Sequence, residues 1–301
     1  NIYIAMTKWK EEKENNIITA GEETVIIGIS LNNGVLGEPI TGTVPGYEIN
    51  QFAMDEHKGY LRIVTTENSE TYEEVIYKDG TTARIWKGDN KVSNGIYVLD
   101  RNLKVVGGLS GLAPDEYVYS VRFFGDIAYF VTFRQVDPLF TVDLSNPKEP
   151  VLIGSLKIPG FSDYLQGYGD GLLFGFGQSA TEEGRVTGLK LSMFDISRPG
   201  EVKEAAVKEL EGKWSEASYN HKAILASPNK DVIAFATENY YFIYGYHKDK
   251  GFYEKAAIDL KDYDYNTRGI YIGDCFYVCT SRGITSYDMN KDYIKIDSLE
   301  F

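Results

Sequence analysis

Residues 119–144 read YSVRFFGDIAYFVTFRQVDPLFTVDL. Two apolar runs rich in Phe, Tyr and Val flank Gly125-Asp126, and a third run closes on Asp143. Aromatic and β-branched residues favour extended backbone, while a Gly-Asp pair favours a tight turn. The middle run, Ile127–Phe133, is almost continuously apolar, as expected of a strand covered on both faces. Asn146–Pro150 (NPKEP) then turns the chain into a closing strand. The stretch therefore predicts four short antiparallel strands: a, a Gly-Asp turn, b, a loop, c ending in Asp, a Pro-containing turn, and d.

The same grammar recurs outward in both directions. Tyr60–Thr66, Leu172–Gly177, Val232–Thr237 and Cys275–Thr280 are further short apolar runs. Each follows a turn: His57–Gly59, Gly169–Asp170, Asn229–Asp231 and Gly273–Asp274. Gly125 to Gly169 is 44 residues, and Asn229 to Gly273 is also 44. The strand that ends in Asp recurs at Tyr97–Asp100, Ser192–Asp195 and Ser286–Asp288, with His247 and Ser30 at the corresponding places in two other repeats. Four strands every 45–50 residues or so is the period of a β-propeller blade. The expected fold is all-β: a propeller of four-stranded antiparallel blades in a single domain, residues 1–301. Six repeats are visible, at about 1–46, 47–112, 113–159, 160–213, 214–261 and 262–301. In the first, Asn1–Thr7 already reads as strand b, so a ring completed by sequence before Asn1 is expected. Glu67–Ser93 and Ser179–Thr187 read as polar insertions between strands b and c, hence surface loops. Helical periodicity is nearly absent; Glu201–Leu210 is the best candidate.

Composition narrows the class. Hydrophobic residues are 43% and charged residues 25% of the 301, which suits a packed globular chain rather than a disordered one. No apolar run reaches the roughly 18–20 residues of a membrane helix, so no membrane insertion of this domain is expected. The net charge of −13 argues against a nucleic-acid backbone or an anionic membrane surface as partner. Cys275 and Cys279 on one strand would stand about 13 Å apart, too far for a disulfide.

Motifs for known chemistry are missing: no Walker A, no dinucleotide fingerprint, no HExxH and no GxSxG elbow. No catalytic residue, metal site or cofactor is predicted. Asp262-x-Asp264-x-Asn266 opens like a calcium loop, but Thr267 and Gly273 stand where the glycine and the closing acid belong. The propeller pattern directs attention to one face, where d–a and b–c loops converge. Those loops carry aromatics and acids, and Arg134, Gln135, Asp137, Asp163, Tyr164, Trp214, Tyr219 and His221 are the candidate ligand contacts. A second group, Asp55, Glu56, Arg62 and Arg122, is expected to face the axis, as structural ion pairs or as binding residues.

Several segments together resemble a known family: Met54–Thr66, Leu109–Asp115, Tyr119–Leu144, Leu156–Leu165, Leu191–Ser197 and His221-Lys222-Ala223. They are similar to secreted proteins of bacteria and archaea whose C-terminal β-propeller domain is distantly related to WD40 repeats. The match runs from residue 1 to about 225 and is weaker beyond. Gln166 departs from it, standing where relatives often have His, which weakens any metal site there. The resemblance implies an extracellular or surface location and a longer N-terminal part, and no established reaction. The function expected is non-enzymatic binding or scaffolding of a protein or carbohydrate. The alternative is a hydrolase or lyase acting on polysaccharide through paired carboxylates near the axis.

Overall fold

The computed structural model describes the chain apart from residues 134–136, 170, 182–183, 211 and 262–263 and the side chains of residues 89 and 137. About 67% of the chain is strand, and no α-helix occurs among the described residues. The chain divides into two compact units, formed mainly by residues 1–155 and 156–301.

The first unit begins with β1 (Ile2–Glu14), β2 (Ile17–Ile29), a small hairpin of β3 (Leu31–Asn32) and β4 (Val35–Leu36), and β5 (Ile40–Pro45). β2 pairs with both β1 and β5, so this repeat contributes strands b, c and d. The second repeat is β6 (Met54–His57), β7 (Tyr60–Ile76), β8 (Thr82–Leu99) and β9 (Val105–Leu112). The third is β10 (Tyr117–Phe124), β11 (Ile127–Phe133), β12 (Asp137–Asp143) and β13 (Val151–Ile158), paired in that order.

The polar stretch Glu67–Ser93 is not a loop. It lengthens β7 and β8 into a long hairpin that turns at Asp79-Gly80, where Gly80 has φ +85°. Alternating Thr, Tyr, Val and Ile around an Asp-Gly turn are a hairpin signal, masked here by the acids between them. The hairpin is not alone: Ile17–Gly21 of β2 pairs with Ser69–Glu73 of β7, fusing the first two repeats into one sheet. Each strand thereby satisfies its neighbour's backbone, which a polar hairpin in water could not do unaided.

The second unit holds three four-stranded antiparallel sheets in chain order. They are β14 (Phe161–Gly167) to β17 (Lys203–Glu209) through β15 (Leu172–Ala180) and β16 (Val186–Asp195); β18 (Ile224–Ser227) to β21 (Gly251–Asp259) through β19 (Val232–Ala236) and β20 (Tyr240–His247); and β22 (Arg268–Ile272) to β25 (Ile294–Glu300) through β23 (Cys275–Thr280) and β24 (Gly283–Asp288). The best helix candidate, Glu201–Leu210, lies largely in strand β17, because its apolar residues alternate rather than recur every three to four. The second insertion also extends strands: β15 runs to Ala180 and β16 starts at Val186.

The b strands form the cores. β11 and β19 are buried almost throughout, as their continuous apolarity requires. In the second unit Phe176 meets Phe235 edge-on at 4.9 Å, and Phe235 stacks near Tyr244 at 6.1 Å. Cys275 and Cys279 share β23 as free thiols.

Short a–b turns stitch neighbouring sheets. Lys58 Nζ lies 2.7 Å and 2.8 Å from the two Asp126 oxygens, and His57 Nε2 lies 3.0 Å away. The Lys58 hydrogen bonds hold the Asp126 carboxyl below its ordinary range. Lys230 reaches Asp274 at 3.1 Å in the same relation between the last two sheets. This explains why an acid follows the turn glycine in these repeats.

Candidate functional site

The site is built where d–a loops of the second unit meet strand β14. Opposite β15, Ser162 pairs with Gly177 and Tyr164 with Phe176, so Asp163 is an extra residue, a β-bulge. A bulge re-aims the side chain it carries. Gly177 permits it: a Cβ there would lie 1.8 Å from the Phe161 carbonyl oxygen. Burial pushes the Asp163 carboxyl up to about 7, and bonds from Ser218 and Gln178 offset only part of that rise. Those contacts are poorly formed. Asp163 Oδ2 and Ser218 Oγ are both sealed from solvent, and neither reaches good hydrogen-bond geometry.

Ser218 belongs to a short 3-10 turn, Glu216–Ser218, capped by Ser215, whose hydroxyl accepts from Ala217 N at 3.2 Å and donates to the Ala236 carbonyl at 2.6 Å. The turn holds three aromatics together. Trp214 packs 5.8 Å from Tyr219 and edge-on to Tyr265 at 5.6 Å. Tyr219 and Tyr265 are each 65% exposed, far more than core packing requires. Beside them Arg268 grips Glu216 with both terminal nitrogens, each at 2.8 Å, and Asn220 donates to Glu216 at 2.5 Å. The Glu216 charge is thus matched, and the turn is pinned to the sheet that starts at Arg268. Such bidentate pairs fix geometry more than they add energy at a part-exposed position.

Of the candidate contacts, Asp163, Trp214 and Tyr219 therefore come together. His221 opens the next 3-10 turn, directly after Asn220. Tyr164 does not join them. Past the bulge it turns to the core, and its hydroxyl donates to Gln166 Oε1 at 2.6 Å while Gln166 donates to the Ala226 carbonyl. Arg134 and Gln135 lie outside the described residues, as does the side chain of Asp137. Sequence reading missed Tyr265 and the Glu216–Arg268 pair as site members, although both sit in d–a loops that it singled out. Asp264, beside Tyr265, spends both side-chain oxygens on the backbone amides of Asn266 and Ser281, which suits a turn rather than calcium.

In the first unit, the second group makes contacts within the chain. Arg62 is buried, bonds Asp55 through Nε at 3.0 Å and through Nη2, donates to the Gly125 carbonyl at 2.6 Å, and lies over the Phe123 ring. Arg122 lies 3.5 Å above the ring of Phe52. Glu56 accepts from the Asn1 side chain at 2.7 Å. Among the described residues no group of three His, Cys, Asp or Glu side chains is placed to hold a metal.

A family model described as a beta propeller domain matches residues 1–291. The chain belongs to that family. The propeller match thus extends well past residue 225, into the last sheet, and stops before β25. An uncharacterized protein of Methanocaldococcus jannaschii is 36% identical over 245 residues, covering 81% of this chain and 36% of the relative. An uncharacterized protein of Archaeoglobus fulgidus is 38% identical over 248 residues, covering 82% and 35%. The propeller chain spans about a third of the length of these relatives. A crystal structure of a functionally unknown protein from Desulfotomaculum acetoxidans aligns with TM-score 0.45 and 12% identity, over 92% of this chain and 77% of that one.

Proposed function

We propose that this propeller is an extracellular, non-enzymatic binding or scaffolding domain, and that Trp214, Tyr219 and Tyr265 form its ligand face, with the Asp163 carboxyl buried beneath it. The observation that carries the reading is the pair of largely exposed tyrosines held against Trp214 by a capped turn and a bidentate ion pair. Exposed aromatic rings fixed beside polar groups suit a carbohydrate, whose C–H faces stack on rings, and equally a peptide with an apolar anchor. An extracellular location rests on the resemblance to secreted proteins. The fold alone would support many roles, and these side chains are what distinguish this one. A glycan array with the purified chain tests it. Binding that survives Trp214→Ala with Tyr219→Ala would remove this face from consideration.

One observation favours a second reading, a hydrolase or lyase acting on polysaccharide. A carboxyl titrating near neutrality suits a general acid. That chemistry needs a second free carboxylate about 5–9.5 Å away. The nearby Glu216 is committed to Arg268. Turnover of a polysaccharide panel that is lost in Asp163→Asn would establish the enzyme instead.

A further inference from the structure

The first unit contains a groove that sequence reading did not anticipate. β2 changes partner within two residues: Gly21 is its last contact with β7, and Glu23 its first with β5. Glu22 stands at the fork, its carbonyl accepting from Gly46 N at 2.8 Å. The backbones cross closely there, since a Cβ on Gly21 would lie 2.6 Å from the Asn68 carbonyl and one on Gly46 2.3 Å from that of Thr66. The fork opens into a groove of about 470 Å³, lined by four glutamates and by Asn68. That volume is within the range of small-molecule sites, about 300–1,000 Å³.

Three of the four carboxylates are occupied. Glu12 pairs with Lys10 at 2.8 Å, Glu23 with Lys8 at 3.5 Å, and Glu67 accepts from the Tyr97 hydroxyl at 2.5 Å. Glu22 makes no side-chain hydrogen bond or ion pair with any described residue, and its Oε2 is buried. Lys91 also lines the groove but makes no ion pair with Glu22. The Tyr47 hydroxyl is pushed up first by burial and then by the Glu22 charge. Asn68 Oδ1 is a second buried acceptor without a partner. A half-buried carboxylate and an amide oxygen left unmatched beside a cavity call for donors and positive charge.

The geometry points to a binding site for a primary alkylammonium group, with Glu22 as the anion and Asn68 as a further acceptor. An ammonium presents three donors on a compact cation, so two or three acceptors suffice. A divalent ion needs six or more oxygens, and no acidic cluster of that kind is present among the described residues. The groove is far larger than a bare ion and accommodates the alkyl chain. Such a group could come from a free amine or from a lysine side chain of a peptide.

The test uses the full 301-residue chain. Two probes are titrated by calorimetry and by NMR: 1,5-diaminopentane for a free amine, and Gly-Lys-Gly blocked at both ends for a peptide lysine. Saturable binding of either is expected, with the better probe naming the source. The Nε-acetylated tripeptide should not bind. Glu22→Gln should weaken binding at least about tenfold, and Glu12→Gln less than about twofold, since Glu12 is already paired. Asn68→Asp, which adds an anion, should tighten it and keeps the test open should Glu22→Gln misfold. The inference is overturned if neither probe binds at millimolar concentration, if Glu22→Gln and Asn68→Asp leave the affinity unchanged, or if CaCl2 binds through Glu22 while both amines fail.

Discussion

Replacing Asp163 by Asn should stabilise the protein at pH 8 and leave it unchanged near pH 4. The carboxyl rises from an ordinary 3.8 to about 7 in the folded chain because burial disfavours its charged form. The folded state therefore holds a proton that the unfolded state has lost between about pH 4 and pH 7. Stability falls as pH rises through that window and is level above it. The full displacement is worth roughly 4 kcal/mol at about 1.4 kcal/mol per tenfold change in proton affinity. The residue is only partly buried overall, so about 2–3 kcal/mol is the expected cost above pH 7. Asn keeps the shape, removes the charge, and offers its amide to Ser218 Oγ. The assay is urea unfolding of both proteins from pH 4 to pH 8. Because the chain has 44 acidic residues, the difference between the two curves, not either alone, isolates Asp163. That difference should be near zero at pH 4, grow through pH 6, and level off above pH 7. A difference of equal size at every pH, or none at pH 8, would refute the burial argument.

Arg62→Ala should cost about 2–3 kcal/mol in the same unfolding assay, because it takes the buried partner from the part-exposed Asp55 and the donor from the Gly125 carbonyl; a loss under about 1 kcal/mol would mean water replaces both bonds. Lys58→Met should change stability only slightly, and 1 M salt should erase the difference, since its link to Asp126 is exposed. Gly80→Val should loosen the Glu67–Ser93 hairpin, because Gly80 sits at φ +85°; hydrogen exchange should quicken at residues 70–90 but not in β11. Trp214→Ala with Tyr219→Ala should weaken any ligand found on a glycan array at least about tenfold, while Asp126→Ala should not.

The sequence by itself was enough for the architecture because blade strands announce themselves locally. An inner strand such as Ile127–Phe133 must be apolar on both faces, and the tight turn before it needs Gly-Asp. Both demands recur with the 44-residue spacing whatever the rest of the chain does. That Trp214, Tyr219 and Tyr265 lie between strands was legible for the same reason, since the strands on either side are recognisable. Side-chain partners were not. That Tyr164 faces the core while Asp163 does not depends on a single bulged residue, and a shift of one position along a strand reverses its faces. That Glu216 is neutralised depends on Arg268, 52 residues away. The polar hairpin 67–93 was hidden because its strands gain their stability from β2 rather than from their own composition. Glu22 could not be singled out among so many glutamates, because only the fork of β2 between two partners leaves it facing a groove with its charge unmatched.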